Sequence, residues 1–300
     1  MDDSGFTNLA TARVTIVGLG LMGGSLALAL AGRCCEIIGV DADPAPLAAA
    51  LRRGLIHRAA DFDSALADSD FVILAVPVRA ILAQLAHLRQ SPTPPQHRPN
   101  AQRCGLPITL LDLGSTKSQV LRAMSQLPPH LDPLGGHPMC GKEISGLGNA
   151  DSDLYRGKTF VLCPLDRTSD RALTLARELV SAIGARPLIM DAETHDQIAA
   201  AVSHLPYVVA IALMRAALAK DNEGLWQMTA SGFRDTTRLA ASDLTMMTDI
   251  LLTNRSAVLA ALTGFKTELD SLTTAIESGD LEALRSALES AQRKRSEMFK

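Results

Sequence analysis

His137 stands in Gly135-Gly136-His137-Pro138-Met139-Cys140-Gly141-Lys142-Glu143, directly after an apolar run, which places the ring at the end of a strand. A histidine there can take a hydroxyl proton near neutral pH while hydride leaves the same carbon. A hydrogen-bonded core histidine is the other reading of the position. Ser115, in DLGSTK after a second apolar run, either joins that chemistry or caps the helix that follows. Arg234, Asp235 and Arg238 lie in SGFRDTTR, with the two arginines four apart and hence on one helical face. A planar guanidinium suits a carboxylate, and an exposed pair with Asp235 is the alternative.

A second chemistry is written nearer the N-terminus. Gly18-Leu19-Gly20-Leu21-Met22-Gly23-Gly24-Ser25 joins the apolar stretch RVTIVG to an Ala/Leu-rich segment. Gly18 permits a tight turn, Gly20 lets the backbone approach a pyrophosphate, and Gly23 lets a helix sit close on a sheet. Leu21 and Met22 fall in the first turn of that helix, whose amides face the phosphates. The next apolar run, EIIGVD, ends at Asp41, about twenty residues on, where a carboxylate accepts from ribose hydroxyls and repels a 2′-phosphate. This pattern predicts a bound dinucleotide, with NAD favoured over NADP. Val76 and Pro77, near the end of the run FVILAVPV, are expected at the cofactor, with Pro77, Ser115 and Lys117 near the nicotinamide side. Arg52 and Arg53 read as a solvated helical face.

The elements that must position these residues are legible from the apolar pattern. Between residues 13 and 190, short β-branched runs alternate with Ala/Leu-rich segments, as in parallel βαβ units. Strands are predicted at 13–18, 36–41, 71–76, 108–112, 134–137, 159–164 and 186–190, which gives an α/β doubly wound Rossmann sheet over residues 11–190. Residues 91–107 carry five prolines among polar residues and read as an exposed loop. From 191 to 300 the strand signals stop and good helix formers dominate, so the second domain is predicted to be all α. Its stretch Leu205–Leu218 reads as a buried helix. The apolar surface of these helices exceeds what so small a domain can cover, which predicts a homodimer.

Composition excludes several classes. A net charge of −3 with 3% aromatic residues gives no footprint for nucleic acid. Five cysteines without a CxxC pair fit neither a disulfide framework nor a zinc ribbon, and a reducing cytoplasm is expected. No cluster has metal-ligand spacing. No apolar run reaches about 18 residues and residues 1–11 carry no signal-peptide core, so neither a membrane span nor a targeting segment is expected. Cys140 reads as an inert packed thiol, and His195 with Asp196 as residues orienting the backbone where the helical domain begins.

GLGLMGGS, AVPV, DLGSTK, GGHPMCGKE, VSHLPY and SGFRDTTR occur in the order seen in the prephenate and arogenate dehydrogenase family, and the sequence resembles that family over nearly its whole length. The resemblance implies that His137 is the catalytic base and that Ser115 supports it. It implies that Glu143 shapes the entrance to the site, and that Arg238 holds a substrate carboxylate alongside Arg234, His204 and Tyr207. The reaction implied is oxidative decarboxylation of prephenate with NAD to 4-hydroxyphenylpyruvate and CO2, on the way to tyrosine. Arogenate is the alternative substrate, kept open because Tyr207 stands where many prephenate-using relatives have histidine. A β-hydroxyacid dehydrogenase, with a lysine base among its helices, and a non-catalytic NAD sensor are the rival classes.

Overall fold

The computed structural model describes residues 8–90, 106–142, 144–220 and 222–298. The β-branched runs become the strands β1 (Arg13–Val17), β2 (Glu36–Val40), β3 (Arg58–Ala59), β4 (Phe71–Leu74), β5 (Ile108–Asp112), β6 (Leu131–Pro138), β7 (Thr159–Pro164) and β8 (Arg186–Ile189). They form one sheet in the order β3-β2-β1-β4-β5-β6-β7-β8. Every residue of β4 and β5 is buried, as befits parallel strands covered on both faces. Alternate side chains enter two different cores: Val14, Ile16, Ile37 and Ile73 one, Val17, Ile38, Val72 and Leu74 the other.

The covering helices are α1 (Leu21–Ala29), α2 (Pro44–Arg52), α3 (Phe62–Asp68), α4 (Val78–Gln90), α5 (Ser118–Met124) and α6 (Asp170–Ala182). Asp43, Asp61 and Ser169 cap α2, α3 and α6 through their side chains. Strand order reverses between β1 and β4, so the crevice for a ligand opens at the carboxyl ends of those two strands.

Two details of the sheet depart from the sequence expectation. The short edge strand β3 was not foreseen, because two residues carry no periodicity; Arg58 fixes it by pairing with Glu36 and Asp68. The sheet is also not wholly parallel, since β7 runs antiparallel to β6. The described residues between 139 and 158 supply no crossover α-helix, and this stretch meets α1, where the Tyr155 hydroxyl donates to the Met22 carbonyl at 2.7 Å and the Asp151 amide to Ser25 at 2.9 Å. Without a crossover the chain can only return antiparallel.

Beyond β8 the described residues are helical: α7 (Ala192–Ala199), a π-helical turn Ala200–His204, α8 (Leu205–Leu218), α9 (Glu223–Gln227), α10 (Ser231–Thr237), a 3-10 turn Arg238–Ala241, α11 (Leu244–Thr253), α12 (Arg255–Ser278) and α13 (Leu281–Met298). Asp191 caps α7 through the Thr194 amide. Helix α8 is not the buried helix the sequence suggests. Only Tyr207 and Ala210 are buried along it, because the rest of the helical half covers one face alone. The continuous helical stretch Ala192–Leu218 is long and apolar enough to cross a membrane by length and composition. Its first half, however, carries His195, Asp196 and His204, all buried and hydrogen-bonded to groups elsewhere in the fold.

Candidate active site

The glycine loop has the shape its sequence requires. Gly18 takes φ +94°, and a Cβ there would lie 2.6 Å from both the Ala75 carbonyl oxygen and Val76 Cγ1. A Cβ on Gly23 would lie 1.8 Å from the Gly18 carbonyl oxygen. Both glycines are therefore demanded by the chain itself. Gly20 is different: a Cβ there meets nothing within 4 Å, so the space above it is open. It precedes α1, whose N-terminus has no side-chain cap. Open space over uncapped amides suits a pyrophosphate. Asp41 follows β2, with one carboxylate oxygen accepting from the Leu19 amide at 2.7 Å and the other from the Asp43 amide at 2.9 Å. Gly18, Gly20, Leu21, Met22, Gly23, Asp41 and Val76 thus follow the carboxyl ends of β1, β2 and β4, and Pro77 beside Val76 is exposed. These residues fit a dinucleotide, and the sequence-predicted solvated face is modified at one point, where Arg53 donates to the Leu147 carbonyl at 3.1 Å.

His137 is the penultimate residue of β6, half-buried at the carboxyl edge. Its Nδ1 lies 2.8 Å from Nε2 of His195 on α7. His195 Nδ1 lies 2.9 Å from Asp196 Oδ1, and the Asp196 carboxylate accepts from the amides of Lys117 at 2.7 Å and Ser118 at 2.8 Å. Behind this chain Asn254 donates to the Asp196 carbonyl at 2.7 Å and approaches His204 Nδ1 at 3.3 Å. The π-helical turn helps to align these groups. An α-helix would carry His204 about 80° round from Asp196 over eight residues, and the wider turn reduces that drift. Thr116 and Thr253 hydroxyls, 2.9 Å apart, join the turn after β5 to the end of α11. The site therefore lies where the sheet edge meets the helical half.

Beneath it Lys117 and Asp112 form an ion pair with both side chains fully buried. Burial pushes the Asp112 carboxyl above the ordinary range, against Lys117 and the amides of Gly114 and Gly136. Burial drives His137 well below the usual imidazole range, and His195, Lys117 and His204 add to the effect while Asp196 opposes it. Burial likewise lowers His204 to about 4. At Asp196 burial acts upwards, but hydrogen bonds from His195, Ser118 and the Lys117 amide hold the carboxyl below its ordinary value. Cys140 is pushed by burial up to about 11, consistent with an unreactive thiol.

The remaining expected residues are more scattered. Ser115 is half-buried in the β5–α5 turn, and His137 takes its Nδ1 partner from His195. Tyr207 is buried against Met247 and Ile250, with Leu239 beside them, so the turn that carries Arg238 seats on α8 next to it. Arg238 is exposed there, and Arg234 pairs with Asp235 at 3.3 Å on the exposed face of α10. Glu143 lies outside the described residues, as does most of the Pro-rich stretch. His195, Asp196 and Asn254 are the members that sequence reading did not bring into the site, whereas Lys117 was expected at this edge of the sheet. Among the described residues no group of three or more His, Cys, Asp or Glu side chains could hold a metal ion.

Comparison with known proteins adds independent findings. The family model described as the prephenate dehydrogenase nucleotide-binding domain matches residues 26–189, and the prephenate dehydrogenase dimerization domain matches residues 191–290. Prephenate dehydrogenase from Bacillus subtilis is 34% identical over 281 residues, covering 90% of this chain and 72% of the relative. Prephenate dehydrogenase from A. aeolicus, solved in complex with hydroxyphenyl propionate and NAD+, has a TM-score of 0.86 at 31% identity and covers 97% of this chain and 100% of that one. Arogenate dehydrogenase from Synechocystis gives a TM-score of 0.79 at 29% identity, with 95% and 99% covered.

Proposed function

Because this chain belongs to the prephenate dehydrogenase family and is an NAD-dependent dehydrogenase, we propose that its substrate is prephenate, oxidised and decarboxylated to 4-hydroxyphenylpyruvate and CO2. The observation that carries the reading is His137: a half-buried imidazole, held uncharged at neutral pH, at the same carboxyl edge of the sheet as the glycine loop. The glycine loop and Asp41 would hold NAD, which would supply the hydride acceptor for the ring carbon that bears the hydroxyl. His137 takes the proton of that hydroxyl and returns it to the oxygen as loss of the ring carboxylate makes the ring a phenol. Aromatisation drives the reaction, so the protein's task is to orient the ring, hold an uncharged base and bind two carboxylates.

Arg238 is assigned to one carboxylate, with Arg234 and His204 as further substrate-binding residues, while Ser115 is assigned to the support of His137 and Glu143 to the entrance of the site. Tyr207, buried where a second imidazole would stand in many relatives, supplies a phenol that can donate but carries no positive charge. That feature supports a second reading, arogenate, whose side chain bears an ammonium group. The residues from 191 onward are assigned to substrate binding and dimerisation, and those from 11 to 190 to NAD.

Steady-state kinetics with prephenate and arogenate, each with NAD and NADP, test the substrate and cofactor together. A higher kcat/KM for prephenate with NAD is expected; a higher value for arogenate would transfer the assignment. Replacing Arg238 with Gln is expected to raise KM at least tenfold with little change in kcat, because a carboxylate contact is made in both the ground and transition states. An unchanged KM for both substrates would remove Arg238 from that role.

A further inference from the structure

The hydrogen-bond chain behind His137 has a direction fixed at its far end by the backbone. The amides of Lys117 and Ser118 can only donate, so the oxygens of Asp196 accept from them at 2.7 and 2.8 Å. His195 Nδ1 sits 2.9 Å from the Asp196 oxygen that already accepts from Lys117. Facing an ionised carboxylate, that nitrogen must carry a hydrogen, and neutral His195 then has a bare Nε2. The bare nitrogen lies 2.8 Å from His137 Nδ1, which must donate to it. The lone pair of His137 therefore falls on Nε2, the nitrogen not engaged in the chain.

We propose that His195 and Asp196 are positioning residues that hold His137 in the tautomer with a bare Nε2 and receive the positive charge when that atom takes the substrate proton. The inference rests on His137 being the base. As the new N–H bond forms at Nε2, the proton on His137 Nδ1 passes to His195 Nε2. His137 stays neutral, and the cation forms on His195 against the Asp196 carboxylate. A cation left on His137 would face Lys117 and His204, tempered by Asp112 beneath Lys117; on His195 it has Asp196 in direct contact. The same logic orders the second arm. The Asn254 amide must aim Nδ2 at the Asp196 carbonyl, so His204 Nδ1 accepts from it and His204 Nε2 carries the hydrogen.

The full chain with NAD bound and its histidines labelled with 15N reads the tautomers directly. Nδ1–H signatures are expected for both His137 and His195. Three variants separate the roles. His195→Leu breaks the chain, whereas His195→Gln can still accept from His137 and donate to Asp196 but cannot carry a proton. Asp196→Asn removes the charge that orients the chain. We expect His195→Leu and Asp196→Asn to lower kcat 10²–10⁴-fold with KM and NAD affinity within about threefold of the parent. His195→Gln should keep the Nδ1–H signature of His137 and recover about tenfold of the loss. An Nε2–H signature on His137 in the parent, or a kcat within threefold of it in His195→Leu, overturns the proposal. Should Asp196→Asn fail to fold for want of its backbone contacts, the His195 pair decides the matter. His137→Asn tells the two readings apart: normal turnover there defeats the base assignment itself, whereas an inactive His137→Asn beside a fully active His195→Leu defeats the positioning chain alone.

Discussion

Burial and the neighbours His195, Lys117 and His204 act on His137 in the same direction, so the proposed base stays uncharged well below the usual imidazole range. The acid limb of kcat/KM, which reports the free enzyme, is expected to fall below pH 6.5, and His137→Asn is expected to remove that limb along with 10²–10⁴-fold of kcat. A limb centred above pH 7 would contradict the assignment. His204 carries the matching statement about stability. Its value is about 4 in the fold and about 6.5 in the unfolded chain, so between those values the unfolded state binds the extra proton. The stability from keeping it neutral is fully present above about pH 6.5 and lost as pH falls towards 4, amounting to about 3 kcal/mol there. Denaturant unfolding from pH 7 to 4 should be distinctly less steep in pH for His204→Gln than for the parent. Equal slopes would mean that His204 already bears its proton in the fold.

At the scale of elements, the glycine loop separates folding from binding. Gly23→Ala puts a methyl against the Gly18 carbonyl and is expected to lower both stability and NAD affinity, whereas Gly20→Ala meets nothing in the chain and should leave Tm unchanged while weakening NAD at least tenfold. Calorimetry and NAD titration on the two variants check this, and full affinity in Gly20→Ala would mean the pyrophosphate does not pass there. That loop was legible in the sequence because its glycines, strand and helix are neighbours along the chain, and so was Asp41. The strands were legible because a buried parallel strand writes a continuous apolar run. His195 was not, since its contact with His137 spans 58 residues and depends on how α7 meets β6. The available signal was the pair His195-Asp196 one turn after the Asp191 cap, at the start of the long helical stretch that continues into apolar α8. The reversal at β7 was hidden too, because an apolar run does not record its direction.

At the scale of the whole molecule, cover runs out along the helical half. Val258, Leu262, Phe265, Leu269, Leu272 and Ile276 recur on α12 at alternating spacings of about three and four, the seam of a helix that packs lengthwise against another. Exposure on that seam is 6% at Val258 but 49% at Leu269 and 66% at Ile276, with Leu272 half-buried between them, and α13 leaves Leu281 and Leu288 exposed as well. An apolar seam left uncovered by the chain's own contacts is the kind of surface that the proposed dimerisation would use, with a second copy of the same chain on the apolar faces of α8 and α12. Sedimentation at micromolar concentration is expected to report a dimer. The double variant Leu269→Glu with Ile276→Glu should sediment as a monomer, because the change places four carboxylates in one interface if each chain contributes two. The sheet lies away from this seam, so the variant should still bind NAD. A parent that sediments as a monomer at every concentration, or a variant that stays dimeric, would show that α12 is not the surface on which two chains meet.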